Sequence, residues 1–252
     1  MSNRIVLITG ATSGIGEATA RLLAGHAFNL ILCGRRADRL AVLKDELSSM
    51  SEVITCTFDV RDREQVNSAL EKLPPNWKQV DVLINNAGNA HGLDPIHTGN
   101  VDDWDAMIDI NVKGLLYVSR KVIPWMTVRG SGHVINIGSI AGKEVYPKGN
   151  VYCASKFAVD ALTQGIRMDL NTYGIKVTGI HPGLVETEFS LVRFKGDAEK
   201  AIAPYKGLTP LTASDIADVI FYVLSAPAHV VLADITVLPT AQASATMVNR
   251  HG

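Results

Sequence analysis

The stretch Arg4-Ile-Val-Leu-Ile-Thr-Gly-Ala-Thr-Ser-Gly-Ile-Gly16 leads from a short apolar run directly into a glycine-rich turn. Residues 4–9 are rich in β-branched side chains, which is typical of a strand covered on both faces of a parallel sheet. The alanine- and leucine-rich segment after the turn predicts a helix that ends near Gly25. Strand, glycine turn and helix together indicate a nucleotide site, because backbone amides can then approach a pyrophosphate at the helix N-terminus. The glycine spacing is one residue looser than the standard dinucleotide fingerprint.

Two adjacent arginines, Arg35 and Arg36, follow the second predicted strand, residues 29–33. NAD sites usually carry an acid at this place for the ribose diol, whereas NADP sites carry arginine against the 2′-phosphate. The pair therefore predicts NADP, with a solvated helix start as the alternative. Asp38 is close enough that NAD is not excluded.

Predicted strands and helices alternate along the rest of the chain, up to a last strand at residues 230–238. Such alternation predicts a parallel sheet with right-handed crossovers. No repeat, low-complexity tract or linker divides the 252 residues, so we expect one doubly wound, Rossmann-type α/β domain over residues 1–252. Its dinucleotide-binding half would span residues 1–130, and its catalytic and substrate half residues 131–252.

Two segments of the second half have no regular pattern. Residues 189–206 suit a mobile lid over the substrate, and we place this lid at residues 184–210. The tail after Pro239 is rich in alanine, serine and threonine, and we expect it to be ordered only against a neighbouring subunit.

Charge and composition exclude several classes of function. With 24 basic and 25 acidic residues the net charge is −1, which gives no general attraction for nucleic acid or membrane. The first apolar run is too short for a signal-peptide core or a membrane span, so we expect a cytoplasmic protein. Cys33, Cys56 and Cys153 form no close pair in the sequence, and no cysteine or histidine shows metal-ligand spacing. We therefore predict no metal.

Tyr152 and Lys156 are four residues apart at the start of a predicted long helix, so they lie on one face about a turn apart. An ammonium close to a phenol favours the phenolate, and Lys156 is therefore expected to lower the pKa of Tyr152. Ser139 closes the preceding strand, from which its hydroxyl could bind the oxygen that Tyr152 protonates. Taken alone, the pair is better explained as a surface contact on an ordinary helix, and only the accompanying motifs favour catalysis. Asn111, a poor residue for a helix interior, suggests a kink that holds a water or a catalytic group.

Together these motifs resemble the short-chain dehydrogenase/reductase family, in the family's order and spacing and over nearly the whole chain. The matching positions are Thr9-Gly10-x-x-x-Gly14-x-Gly16, Asp59-Val60, Asn85-Asn86-Ala87-Gly88, Asn111, Ser139, Tyr152-x-x-x-Lys156 and Pro182-Gly183. The resemblance implies a seven-stranded parallel sheet flanked by helices, and a homotetramer built through the long helices.

The resemblance also implies residue roles. Tyr152 would be the general acid/base, Lys156 would lower its pKa and bind the nicotinamide ribose, and Ser139 would orient the substrate oxygen. Asn111 would anchor a proton-relay water. The implied NADP-binding residues are Gly10, Thr12, Ser13, Gly14, Ile15, Gly16, Arg35, Arg36, Asp59, Val60, Asn86, Ala87, Gly88, Tyr152, Lys156, Pro182, Gly183, Val185 and Thr187.

Within the family, the lid sequence is similar to the bacterial NADP-dependent 3-hydroxy acid dehydrogenases, also called serine or allo-threonine dehydrogenases. That similarity implies a small 3-hydroxy acid as substrate, held by Ser139, Tyr152 and a lid cation. Arg193 is the first candidate for this cation and Lys195 the second, since no other cation lies in residues 189–196.

Three alternatives remain at this point. The first is a carbonyl or 3-oxoacyl reductase of the same family with a larger apolar substrate. The second is a non-catalytic NADP-binding regulator, which would have no use for the proton-transfer residues. The third is a nucleotide-dependent methyltransferase, which normally carries an acid where Arg35 and Arg36 stand.

Overall fold

The computed structural model describes residues 4–251 and contains a seven-stranded parallel sheet. The strands are β1 (Ile5–Thr9), β2 (Asn29–Gly34), β3 (Val53–Thr57), β4 (Val82–Asn85), β5 (Gly132–Ile137), β6 (Ile175–Pro182) and β7 (Asp234–Val237). Their order across the sheet is β3-β2-β1-β4-β5-β6-β7. The predicted doubly wound α/β fold is confirmed.

Helices cover both faces of this sheet. They are α1 (Gly14–Gly25), α2 (Ala37–Leu47), α3 (Arg63–Glu71), α4 (Val101–Ile108), α5 (Gly114–Arg129), α6 (Asn150–Leu170), α7 (Glu188–Arg193), α8 (Ala198–Ile202) and α9 (Ala213–Ser225). A π-helical turn, Asp109–Lys113, joins α4 to α5. None of the helices between residues 4 and 251 is both long and apolar enough to cross a bilayer.

Alternate residues of each strand face two separate hydrophobic cores. In β1, Val6 and Ile8 pack into the core that includes Ile220 of α9, whereas Leu7 packs into the core that includes Val122 of α5. Because both faces are covered, the strand is apolar along its whole length. This is the physical basis of the apolar run at residues 4–9.

Strand β1 pairs with β2 on one side and with β4 on the other. The order of the sheet therefore reverses between β1 and β4. In open parallel sheets a ligand binds at such a reversal, outside the carboxyl ends of the strands. The fold thus defines where the site lies.

The last strand is shorter than predicted. β7 covers Asp234–Val237 in place of residues 230–238, and it pairs only with Gly179–Pro182 of β6. It is an edge strand whose alternate positions are exposed. Its pairing with β6 ends at Pro182, the last residue of β6.

The lid and the tail are also more ordered than predicted. The lid contains α7 and α8, and the tail contacts its own chain. Gln242 Oε1 accepts a hydrogen bond from the amide of Leu184 (2.9 Å), and the amide of His251 donates to the carbonyl of Gly207 (2.8 Å). The expectation that the tail is ordered only against a neighbouring subunit is therefore wrong.

Cys33 and Cys56 lie directly opposite each other on β2 and β3, although the sequence showed no close pair. Their thiols interact, and burial raises the pKa of Cys33. Strand pairing brings together residues that sequence separation keeps apart. All three cysteines are free thiols.

Candidate active site

A cleft lies over the carboxyl ends of the central strands, where the order of the sheet reverses. Most of the predicted site residues line it: Gly10, Thr12, Ser13, Gly14, Ile15, Arg35, Arg36, Val60, Asn86, Ala87, Gly88, Ser139, Tyr152, Lys156, Pro182, Gly183, Val185, Thr187 and Arg193. Gly16, Asp59 and Asn111 are not part of this lining.

The glycine-rich turn is held close to the end of β4. Gly10 has a positive φ of 67°, and the amide of the Asn86 side chain donates to the carbonyls of Thr9 (2.9 Å) and Gly10 (3.2 Å). A Cβ on Gly16 would lie 2.4 Å from the Gly10 oxygen, so only glycine allows this packing. Gly16 therefore supports the turn from behind.

Asp59 is turned towards arginines and away from the cleft. Its carboxylate pairs with Arg61 (2.7 Å) and lies 3.5 Å from Arg35. Of the two residues that the resemblance assigns to the NADP site here, Val60 lines the cleft and Asp59 does not. The ion pairs hold the Asp59 carboxylate beside the arginines.

Tyr152 and Lys156 lie in the first two turns of α6, and Ser139 follows β5 directly. Tyr152 is 7% exposed and Lys156 is 6% exposed. The hydroxyl of Ser139 lies close enough to the hydroxyl of Tyr152 to act on its pKa, and Nζ of Lys156 donates to the carbonyl of Ile137 (3.0 Å). The three predicted catalytic side chains therefore meet at the base of the cleft.

Burial raises the pKa of Tyr152 above its usual value, although the hydrogen bond from Ser139 opposes the shift. The predicted lowering by Lys156 is therefore not observed, because desolvation of the phenolate dominates. Burial also lowers the pKa of Lys156, from 10.5 to about 8. The neutral phenol is the resting form, which suits a proton donor.

The buried Lys156 should give the stability of the protein a pH dependence. Its ammonium is disfavoured in the folded state, so it costs stability below pH 8, and that cost disappears as the pH rises towards 10.5. We expect wild type to gain up to about 3 kcal/mol relative to Lys156→Met between pH 7 and pH 10.5. Urea unfolding across this range measures the difference. For Lys72→Met, a substitution at an exposed position, the free energy of unfolding should change with pH as it does for wild type. If the free energy of unfolding of Lys156→Met also changed with pH as it does for wild type, the expectation would be contradicted.

Asn111 lies in the π-helical turn and is 2% exposed. Its Oδ1 accepts from the amide of Asn89 (2.9 Å), and its Nδ2 donates to the Asn89 carbonyl (2.8 Å) and to Ser155 Oγ (3.0 Å). The kink expected from the sequence is thus a π turn. It places Asn111 behind Gly88. A Cβ added to Gly88 would touch both Asn111 Oδ1 (3.0 Å) and Lys156 Nζ (3.4 Å).

Arg36 has partners of its own within the protein. Its Nε and Nη2 donate to Thr12 and Ser13 at 2.8–3.1 Å, and its Nη1 donates to Glu188 (2.9 Å). Arg39, which the sequence analysis missed, donates to the other oxygen of Glu188 (2.6 Å). Arg35 is 55% exposed and near Asp59.

The guanidinium of Arg193 lies beside Tyr152, 5.4 Å from the centre of its ring. Its Nε donates to the carbonyl of Gly92 (3.1 Å) and its Nη2 to the hydroxyl of Tyr146 (2.9 Å). No acid pairs with Arg193 among residues 4–251, whereas Lys195 pairs with Asp103 (2.9 Å). Of the two candidate cations in residues 189–196, Arg193 is the one facing the site.

The family's sequence model, short chain dehydrogenase, matches residues 4–197. The chain belongs to the short-chain dehydrogenase family. It is 47% identical over 242 residues to the NADP-dependent 3-hydroxy acid dehydrogenase YdfG of Salmonella typhi, covering 96% of this chain and 97% of that protein. It is 46% identical over 248 residues to sulfoacetaldehyde reductase 2 of Chromohalobacter salexigens, covering 98% of each.

A solved structure gives the same result for the fold. The closed form of serine dehydrogenase complexed with NADP⁺ superposes with a TM-score of 0.92 at 44% identity, covering 98% of this chain and 99% of that one. The resemblance stated from the motifs, and with it the prediction of an enzyme of this family, is confirmed.

Sequence reasoning about this short-chain dehydrogenase missed several residues that shape the cleft. The ring of Phe189 lies 5.6 Å from the Tyr152 ring, and the hydroxyl of Tyr205 hydrogen-bonds Ser190 (2.7 Å) and the carbonyl of Val185 (2.9 Å). These contacts form only when the lid folds over the cleft, so no spacing in the sequence predicts them.

A second cluster lies next to the site, although the sequence showed no metal-ligand spacing. His181 is fully buried, with Nε2 at 3.5 Å from Asp234 and 3.7 Å from Asp160. Strand pairing and α6 bring these three residues together. The ammonium of Lys143 bonds both carboxylates (2.8 and 2.5 Å), so the cluster already contains a cation from the protein.

Proposed function

We propose that the protein is an NADP-dependent oxidoreductase that interconverts small 3-hydroxy acids and the matching 3-oxo acids or semialdehydes. The observation that carries the proposal is the guanidinium of Arg193 beside Tyr152. A charged group at this distance can bind the acid function of a short substrate while Tyr152 reaches its hydroxyl. The choice of NADP as cofactor rests on the paired arginines after β2 and agrees with the NADP named for the relatives.

The cleft fits a dinucleotide. A glycine-rich turn opens α1, where backbone amides can bind a pyrophosphate. A Cβ on Gly14 would lie 3.2 Å from Thr187, so turn and lid approach as closely as glycine allows. The nicotinamide, when bound, supplies the hydride acceptor or donor.

The chain's own residues supply the proton and the orientation. In the reducing direction, the neutral Tyr152 donates its proton to the carbonyl oxygen, and Ser139 holds that oxygen with its hydroxyl. Lys156 and Asn111 lie behind Tyr152, where they can hold a proton-carrying water. The lid residue Phe189 covers the tyrosine and keeps bulk water away.

An anionic aldehyde with a sulfonate group is a second candidate substrate. One relative is a sulfoacetaldehyde reductase at 46% identity, and a guanidinium binds sulfonate and carboxylate oxygens alike. A larger apolar substrate would leave Arg193, with which no acid among residues 4–251 pairs, beside Tyr152 without a counter-charge.

A substrate panel tests the proposal. NADP⁺ reduction is followed with serine, allo-threonine, 3-hydroxypropionate, 3-hydroxybutyrate and the amide of each acid, and NADPH oxidation with sulfoacetaldehyde and with neutral ketones. We expect at least one 3-hydroxy acid to exceed its amide in kcat/KM by about tenfold or more, the factor that one charge-assisted bond supplies. Higher kcat/KM for neutral ketones than for every anion would contradict the proposal.

We also propose that the enzyme is a cytoplasmic homotetramer formed through α5 and α6. Apolar side chains on these helices are exposed in one chain, including Val128 (89%) and Leu116 (39%) on α5 and Met168 (75%) and Phe157 (41%) on α6. Exposed apolar surface on long helices favours association. The mass in solution, from light scattering, tests the assembly.

A further inference from the structure

The carboxylate of Glu188 joins the lid to the helix that follows β2. Glu188 is the first residue of α7, and its two oxygens bind Arg36 (2.9 Å) and Arg39 (2.6 Å) at the start of α2. The hydrogen bond from Arg39 holds the pKa of Glu188 below its usual value, so the carboxylate is charged at neutral pH. Two guanidiniums thus share one carboxylate.

Of these two guanidiniums, that of Arg36 lies where a 2′-phosphate is expected, and that of Arg39 is joined to it through Glu188. A basic residue after the second strand of a dinucleotide fold faces the 2′-position of the adenosine ribose. Arg36 and Glu188 both line the cleft, as does Gly34 at the end of β2. The start of α2 adds the positive end of a helix dipole at the same place.

Arg36 has little donor capacity left for a second anion. Its Nε and Nη2 are bound to Thr12 and Ser13, and one of the two N–H groups of Nη1 is donated to Glu188, so a single N–H of Arg36 remains for a phosphate. A phosphate with about two negative charges beside Arg36 would also repel the carboxylate of Glu188. The two anions therefore compete for the same arginines.

We propose that Glu188 is a specificity-determining residue that weakens the preference for NADP(H) over NAD(H), because its carboxylate occupies the arginines that a 2′-phosphate needs. NAD(H) has no 2′-phosphate and leaves the carboxylate in place. The cost therefore falls on NADP(H) alone. This inference rests on the proposed NADP dependence.

The test compares the dissociation constants of NADPH and NADH, measured by coenzyme fluorescence, for wild type, Glu188→Gln and Glu186→Gln. Glu186 is exposed two residues earlier and pairs with no arginine among residues 4–251, so it controls for the change in net charge. We expect Glu188→Gln to lower the dissociation constant of NADPH about two- to fivefold, as half-exposed ion pairs allow. The dissociation constant of NADH in this variant, and both constants in Glu186→Gln, should stay nearly unchanged. The gain should shrink in high salt.

Adenosine 2′,5′-bisphosphate and 5′-AMP separate the 2′-phosphate from the rest of the coenzyme, and only the bisphosphate should bind more tightly to Glu188→Gln. Weaker or unchanged NADPH binding in that variant, or equal gains for NADPH and NADH, would overturn the inference. If both wild type and Glu188→Gln bound NADH more tightly than NADPH, the proposed cofactor would be overturned as well. The two failures are therefore distinguishable.

Discussion

Replacement of Tyr152 by phenylalanine is expected to lower kcat by about 10²–10⁴-fold, the usual contribution of a positioned general acid. The ring keeps its packing against Phe189, and only the hydroxyl beside Ser139 is lost. The dissociation constant of NADPH should therefore change little. Steady-state kinetics and coenzyme fluorescence on the same preparation measure both quantities.

Tyr222→Phe is the matched control, because Tyr222 is exposed on the outer side of α9 and the chemical change is the same. It should keep wild-type turnover. Activity of Tyr152→Phe within tenfold of wild type would show that Tyr152 is not the proton donor.

Arg193→Met should lower kcat/KM for anionic substrates by about tenfold or more, given about 1.4 kcal/mol per decade and 1.5–3 kcal/mol for a charge-assisted bond. Methionine keeps much of the side chain's length but removes the charge. The kcat/KM for neutral ketones should fall far less, since these substrates have no acid group for Arg193 to bind. The measured quantity is the ratio of kcat/KM for an acid to that for a neutral analogue, in both proteins.

Lys195→Met controls for the loss of positive charge in the lid, because Lys195 is paired with Asp103 and away from Tyr152. It should leave that ratio unchanged. Arg193 also bonds Gly92 and Tyr146, so part of any loss can come from a loosened lid. A loosened lid lowers kcat/KM for anionic and neutral substrates alike. Equal losses of kcat/KM for the two kinds of substrate would therefore refute the carboxylate contact.

The sequence predicted the parts of this structure that depend on local pattern. The apolar run at residues 4–9 indicated a buried parallel strand, the glycine turn indicated the start of α1, and Asn111 indicated a kink. Each of these follows from the chemistry of neighbouring residues. The order of motifs then gave the family.

What the sequence did not predict depends on contacts between distant segments. Glu188 lies about 150 residues from Arg36 and Arg39, and Gln242 reaches Leu184 from the tail. Burial is likewise a property of the folded chain, and it reversed the expected direction of the Tyr152 pKa. No spacing rule encodes either kind of information.

The π turn at Asp109–Lys113 also changes the phase of a helix. Met107 and Val118 are about three turns apart, so in a regular helix of about 100° per residue they would share one face. In the protein, Met107 packs in the cluster around Tyr152, whereas Val118 packs in the core beneath the sheet. A π turn accommodates one extra residue, and that residue rotates the second half of the helix relative to the first. One continuous helix can thereby serve two different neighbours, with Asn111 at the point of rotation.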